Sequence, residues 1–252
     1  MDFQEAIRKI EERGDFNRYA EVKPIFENRL AELKDGDYTE RGLCYYYLLV
    51  SYMKGNLVHE TQEAIEFYDK MEAAFMKQED VYRKEHKKFS WSEIKDFFRL
   101  MERCYGSLEF LYKQHNFQAR RRHAYKHKMR FRKDAYFFNK KFWHWLEYKF
   151  LEITCNYGTS LVRWATTTFA FSILMAVAFF INDHLIPDEA LRTIVDDAHW
   201  FDYFYFSMIN LTTVGFGDIT PLSVSGKILS IFEAFFGFLM LGIFIGLIQK
   251  KL

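Results

Sequence analysis

The chain has 252 residues, of which 50% are hydrophobic, 19% aromatic and 27% charged, and its formal net charge is +1 at pH 7. A total so close to zero gives no reason to expect a polyanion as the partner. The charged residues are dense before Gly158 and nearly absent after it, except in one loop. We therefore expect two unlike parts, one polar and one suited to a lipid bilayer.

Residues 1–136 form the polar part. Apolar residues recur three and four positions apart between turn signals, which predicts a run of amphipathic helices without strands. Two helix–turn–helix segments, residues 45–71 and 104–129, resemble degenerate tetratricopeptide repeats in the spacing of their small and aromatic residues. We expect a cytoplasmic helical domain that receives a protein or small-molecule regulator.

The histidines and cysteines suggest no catalysis. The eight histidines scatter among lysines and aromatics without nucleophile or metal-ligand spacing. Cys44, Cys104 and Cys155 lack the paired spacing of a zinc or redox motif, so we expect reduced and mostly buried thiols. The sequence therefore predicts neither an enzyme nor an organic cofactor.

Two segments link the polar part to the apolar part. Residues 117–133 are strongly basic on a helical period, and such a segment is attracted to anionic lipid by about 1 kcal/mol per basic residue. Charge alone also allows nucleic acid, but a membrane-tethered chain disfavours it, and we expect none. Residues 137–158 then form an amphipathic interfacial helix, whose aromatics and lysines alternate over residues 137–151.

Two apolar runs follow, at about residues 161–182 and 226–249, and each reaches the roughly 20 residues that a helix needs to cross a bilayer. Basic residues cluster before the first run and follow the second, so we expect both termini in the cytoplasm and the protein in the plasma membrane. The loop between the runs is acidic, and its negative charge would concentrate cations outside the membrane. The alternative is that exterior loops merely lack basic residues and that the acids have no such role. Its acidic residues are Asp183, Asp188, Glu189, Asp196, Asp197 and Asp202.

The segment between the runs, residues 200–221, contains an aromatic-rich short helix and then a glycine-containing loop. Successive carbonyls can face one ion path only if the backbone alternates between right- and left-handed conformations, which Gly215 and Gly217 permit. The residues Thr213, Val214, Gly215, Phe216 and Gly217 resemble the filter signature Thr-Val-Gly-Tyr/Phe-Gly of tetrameric potassium channels.

The resemblance implies the parts of an ion pathway. Potassium ions would bind the backbone carbonyls of Thr213, Val214, Gly215 and Phe216 and the Thr213 hydroxyl, while Val214 and Phe216 pack behind the strand. One filter strand and two spans per chain cannot enclose a pore, so four copies must assemble.

Thr212, Asp218 and Glu233 are expected to support the filter. Ile209 and Phe206 stand where some relatives have an acid and a tryptophan that reach the filter aspartate. Asp218 therefore lacks two familiar partners, which puts the rigidity of the filter in doubt. Glu233 is costly in a bilayer and is expected to brace the pore helix from behind rather than to bind an ion.

The second run is expected to line the pore. Gly237 resembles the inner-helix glycine at which many relatives bend, and the alternative is a small residue for close helix packing. Leu241 and Ile245 lie at four-residue steps from it, on nearly one face, where they would form an apolar constriction.

Together these patterns predict an all-α membrane protein with three segments: a helical cytoplasmic domain (1–136), an interfacial helix (137–158) and a pore domain (159–252). The predicted function is a homotetrameric potassium channel that the cytoplasmic domain modulates. The alternative is a membrane-anchored helical adaptor whose pore is vestigial or depends on another subunit.

Overall fold

A computed structural model describes residues 2–12, 19–55, 61–186, 193 and 199–249. It divides the chain into an N-terminal unit, Met1–Leu146, and a C-terminal unit, Glu147–Leu252. Throughout the described ranges the regular structure is helical, as the sequence predicts. The helices are α1 (Phe3–Glu12), α2 (Tyr19–Glu32), α3 (Tyr38–Lys54), α4 (Gln62–Lys84), α5 (Trp91–Gln114), α6 (Gln118–Phe138), α7 (Phe142–Cys155), α8 (Leu161–Leu185), α9 (Trp200–Leu211) and α10 (Val224–Gln249).

The N-terminal unit is built from helical hairpins that share one core. Helix α3 packs on α4 and helix α5 packs on α6, in the two segments where helix–turn–helix units are predicted. Side-chain caps begin two of these helices, because Thr61 accepts from the backbone of Ala64 and Ser90 accepts from Glu93. The core between the helices is rich in aromatic and sulfur-containing side chains, including Phe75, Phe98, Met101, Tyr105 and Phe131.

The three cysteines are free and buried, as predicted.

The basic segment uses part of its charge inside the N-terminal unit. Lys128 pairs with Glu109 at 2.8 Å, and Arg132 pairs with Glu102 at 2.6 Å. Arg130 pairs with the buried carboxylate of Glu79. These side chains join α6 to α4 and α5, so they do not present the free basic face that the sequence pattern suggested.

The interfacial helix begins later than the sequence predicts. Phe137 and Phe138 end α6, and the Phe138 ring stacks on Phe98 with centroids 5.3 Å apart. A turn at residues 139–141 follows, and α7 starts at Phe142. The error arises because aromatics of a protein core and of a membrane interface have the same helical spacing.

Helices α8 and α10 of the C-terminal unit are each long and apolar enough to cross a membrane. Helix α8 extends three residues beyond the predicted end, and α10 begins two residues early. The indole of Trp164 donates to the Met240 carbonyl at 2.8 Å, and Phe171 stacks on Phe236. Helix α9 packs against both long helices and forms the third member of this unit.

Candidate functional site

The filter loop, residues 212–218, leaves the end of α9 under tight backbone control. Thr212 caps α9, and its hydroxyl donates to the Met208 carbonyl at 2.8 Å. The amides of Val214 and Gly215 both point to the Ile209 carbonyl, at 3.0 and 3.4 Å. The first residues of the loop are therefore fixed to the last turn of the short helix.

The backbone of the loop alternates in handedness. Thr213, Gly215 and Gly217 have φ values of 57°, 53° and 79°, and Val214 and Phe216 between them are not left-handed. The two glycines adopt the left-handed conformation that the lack of a Cβ permits. Thr213 is a left-handed position that the sequence did not indicate, and a β-branched residue there is strained.

The two apolar side chains of the loop are exposed in the single chain, Val214 by 55% and Phe216 by 71%. The surface against which we expect them to pack is therefore not supplied by the residues of the chain that the structure describes.

Asp218 has a partner that the sequence did not reveal. The hydroxyl of Tyr205 donates to Asp218 Oδ2 at 2.7 Å, from the middle of α9 to the exit of the loop. Ile209 and Phe206 stand where some tetrameric potassium channels have an acid and a tryptophan that reach this aspartate. The expectation that Asp218 lacks a brace is nevertheless wrong, because Tyr205 supplies one. Tyr205 lies one position before Phe206 and reaches the same carboxylate.

Glu233 joins a buried polar network behind α9. Its carboxylate accepts from the Ser207 hydroxyl and, at 2.8 Å, from the Asn210 side-chain amide. Ser207 Oγ also lies 3.1 Å from the hydroxyl of Ser172 and 2.9 Å from the Ser172 carbonyl oxygen, which competes with Glu233 for the single Ser207 hydroxyl proton. Glu233, Ser207 and Ser172 are fully buried, so this network ties α8, α9 and α10 together through polar groups that have no access to water.

Gly237 allows α10 to approach the end of α9. A Cβ at this position would lie 1.9 Å from the carbonyl oxygen of Leu211. Helix α10 is continuous through this point. This contact supports the interpretation of Gly237 as a small residue that allows close helix packing.

Leu241 and Ile245 lie further along α10 and are about half exposed in the single chain.

The acidic loop is only partly described. Asp188, Glu189, Asp196 and Asp197 lie outside the described residues. Asp183 is fully buried, and its carboxylate accepts from the backbone and hydroxyl of Thr193 at 2.9–3.0 Å. Asp202 accepts from the backbone of His199 at the start of α9. These two carboxylates form hydrogen bonds that fix the described ends of the loop. They therefore have a structural role, whereas the sequence suggests that they attract cations.

A polar cluster in the N-terminal unit corrects the statement that the histidines lack metal-ligand spacing. His123 and His127 are four residues apart on α6, and Glu72 of α4 faces them. Burial, with help from His123 and Arg130, lowers the pKa of His127 to about 4. Burial also raises the pKa of Glu72. The four-residue spacing of His123 and His127 is the signal in the sequence that could have indicated this site. Glu72 lies 51 positions before His123, and only the fold brings it next to the two histidines.

Residues 159–252 match the protein-family model described as "Ion channel". This part of the chain is similar to ion channels. It contains α8, α9, the filter loop and α10, which are the elements whose contacts are described above.

Two curated relatives share short stretches with the chain. The hyperpolarization-activated voltage-gated potassium channel of Methanocaldococcus jannaschii is 53% identical over 38 residues, which are 15% of this chain and 18% of the relative. Potassium channel K2 of Plasmodium berghei is 42% identical over 59 residues, which are 23% of this chain and 4% of the relative. The matched stretches thus span less than a fifth of either relative. No solved structure is significantly similar to the chain.

Proposed function

We propose that the chain is one subunit of a potassium-selective channel whose pore is built by residues 159–252. The observation that carries the proposal is the alternation of handedness at Thr213, Gly215 and Gly217, directly after a short helix. A backbone of this kind can direct successive carbonyls to one path and replace the hydration shell of a potassium ion. Both relatives are described as potassium channels, which supports the choice of potassium.

The functional assembly is a homotetramer. One chain contributes one filter strand and two spans, which cannot surround an ion path. Helix α10 leaves large apolar side chains exposed, and these require either lipid or other subunits. The exposed side chains include Ile228, Ile231, Phe232, Phe235, Phe238, Leu241 and Ile245.

Potassium ions in the filter would be held by the carbonyls of residues 213–216 and by the Thr213 hydroxyl. The carbonyl end of α9 leads into the loop, and the negative end of its macrodipole favours a cation there. Thr212, Asp218 and Glu233 act as support, because each bonds to α9 rather than facing an ion path on its own. The pathway requires neither an organic cofactor nor enzymatic chemistry.

The gate in this proposal is the cytoplasmic half of α10. Leu241 and Ile245 would face the axis and close the pore by excluding water from an apolar constriction. Gly237 sets the position of α10 against α9, and a bend at Gly237 is the alternative way to open the pore.

The N-terminal unit would lie in the cytoplasm of the cell, together with both termini, and modulate the gate. Its hairpins α3/α4 and α5/α6 would act as tetratricopeptide-like repeats that receive a protein or small-molecule regulator. Helix α7 presents the exposed side chains of Phe142 and Trp143, which suit the membrane interface. Anionic lipid would be the partner of the basic juxtamembrane segment, residues 117–133.

Ion flux through purified protein tests this function. The full chain is reconstituted into vesicles, and potassium and sodium entry are compared with those of empty vesicles. Potassium entry well above sodium entry is the expected result. An inert preparation that remains tetrameric and folded would favour the membrane-anchored adaptor, and equal sodium and potassium entry would contradict the filter assignment.

A further inference from the structure

The side chains of Glu72, His123 and His127 converge on one point between α4 and α6. One ligand atom of each residue lies within 4.8 Å of the others. Glu72 Oε1 is 3.2 Å from His127 Nε2 and 3.9 Å from His123 Nδ1. Ligands bound tetrahedrally to zinc at about 2.0–2.1 Å lie about 3.3 Å apart, so small side-chain movements bring these three into coordination distance.

Among the residues that the structure describes, two buried polar atoms of this cluster have no hydrogen-bond partner. They are Glu72 Oε1 and His127 Nδ1, which stand out because buried polar atoms are normally paired. The remaining positions are well fixed: Tyr68 bonds to His123 at 2.7 Å, and Tyr105 stacks on the His127 ring at 5.0 Å. Tyr68 contacts the same Nδ1 atom of His123 that faces Glu72, so a cation bound by this nitrogen would take the place of the Tyr68 hydrogen bond.

The surrounding charges decide which cation suits the cluster. Arg120 and Arg130 interact with the Glu72 carboxylate, and Asp69 adds a second negative charge nearby. These guanidinium groups oppose the binding of any cation through charge alone, so a bound cation has to gain its affinity from the nitrogen ligands. Two imidazoles and one carboxylate instead match zinc and its neighbours among the divalent transition metals.

We propose that Glu72, His123 and His127 form a binding site for a divalent transition-metal cation of the zinc class, with water in the remaining position. The side chain of His123 is 46% exposed, which leaves the cation a route from solvent. Helix α4 belongs to the α3/α4 hairpin and α6 to the α5/α6 hairpin, so the cation would cross-link two hairpins. The site concerns the N-terminal unit only and does not depend on the function of the pore.

The test uses the full chain in detergent, purified without a polyhistidine tag and stripped with a chelator. Co²⁺ is titrated in and its visible absorption is followed, and then Zn²⁺ is added in competition. We expect one Co²⁺ per chain with the intense bands of a tetrahedral or five-coordinate nitrogen-containing site, and loss of those bands as Zn²⁺ displaces it. His123→Gln and Glu72→Gln should each weaken binding by about 10-fold or more, since even outer-sphere partners cost 10- to 100-fold.

His86→Ala is the matched control, because His86 is an exposed histidine elsewhere in the same unit. It should leave affinity and stoichiometry unchanged. His123→Gln is preferred over changes at His127, whose ring packs on Tyr105, because an exposed side chain can be replaced without disturbing the core. Circular dichroism verifies that each variant remains folded. Absence of a specific Co²⁺ spectrum in the wild type would overturn the proposal, as would equal binding by the wild type and the folded His123→Gln variant.

Discussion

At the scale of single residues, the filter loop is held by a contact that crosses thirteen positions of sequence. Tyr205 donates to Asp218 from α9, so the exit of the loop is tied to the helix that leads into its entrance. Both ends of the loop therefore depend on α9. A loop fixed at both ends resists collapse when ions leave it.

Tyr205→Phe removes only the hydroxyl of this contact. We expect the filter to lose stability, which shortens open times or speeds inactivation while selectivity for potassium is retained. Asp218→Asn should act in the same direction but more weakly, since its amide oxygen can still accept from Tyr205, and the double variant should add little to Tyr205→Phe because both changes act on one contact. Single-channel recording measures these durations, and unchanged open times in both single variants would show that the contact does not support the filter.

Glu233 tests whether a buried acid braces the pore helix or binds an ion. Glu233→Ala leaves the Asn210 amide without one of its acceptors and opens a cavity, which should cost roughly 1–3 kcal/mol. Glu233→Gln should cost less, because its amide can donate to Ser207 while its oxygen accepts from Asn210. Thermal unfolding in detergent gives the order of stabilities.

Ser230→Ala is the control for this series. Ser230 lies one turn earlier on α10, and its buried hydroxyl has no hydrogen-bond partner within the described ranges, so its removal should be nearly neutral. A Glu233→Gln variant that is stable but conducts poorly would contradict the bracing role and favour an ion site.

Residue partners of this kind were beyond reach of the sequence for a physical reason. Glu233 is recognisable as a costly acid in an apolar span, and Thr212 and Asp218 are recognisable from the filter resemblance, but Tyr205 is one of several aromatics in its segment. The left-handed Thr213 could not be predicted either, since a β-branched residue disfavours that conformation and only the surrounding contacts impose it.

At the scale of helices, the C-terminal unit depends on the closeness of α10 to α9. The absence of a side chain at Gly237 lets the backbones meet at Leu211, and the Glu233 network lies one turn away on the same helix. Van der Waals packing and buried hydrogen bonds drive helix association in membranes, where lipid removes the hydrophobic driving force.

Gly237→Ala should separate the two helices. The added methyl group would overlap the Leu211 carbonyl, and overpacking of this kind costs about 1–3 kcal/mol. Gly242→Ala is the matched control on the same helix, since a Cβ there meets nothing within 4 Å in the chain. Thermal unfolding and tetramer content should fall in the first variant only. A stable Gly237→Ala tetramer with reduced opening would support the hinge instead.

Helix positions were more predictable than helix surroundings. The apolar runs gave α8 and α10 within a few residues, because a bilayer sets both their length and their composition. The predicted start of α7 is wrong because Phe138 packs on Phe98 in the core of the N-terminal unit, and Phe137 contacts the exposed ring of Trp91. An aromatic residue fits a core and an interface equally well, and periodicity does not distinguish them.

At the scale of the whole molecule, the chain consists of two units that differ in how much of their apolar surface is buried within the chain. The N-terminal unit buries a continuous aromatic core, whereas the C-terminal unit leaves most of α8 and α10 uncovered. The first is expected to be compact by itself. The second is expected to need lipid and further copies.

A variant that begins at Lys140 tests the division of labour. All residues of the proposed filter and both apolar helices remain, so the variant should form a tetramer that is selective for potassium. Its open probability should differ from that of the full chain, by a factor within the 5- to 150-fold that coupling of about 1–3 kcal/mol provides. Single-channel recording decides: unchanged gating would reduce the N-terminal unit to assembly or docking, and failure to tetramerise would make it structural.

The reversal potential of the full chain tests the central claim most directly. The protein is placed in a planar bilayer with potassium on one side and sodium on the other, and the account predicts a current carried by potassium. Gly215→Ala should abolish this current, because a methyl group opposes the left-handed conformation by roughly 1–2 kcal/mol in each subunit. Phe216→Tyr, the other residue of the family signature, should preserve it. A reversal potential near zero, or a Gly215→Ala current equal to that of the wild type, would contradict the account.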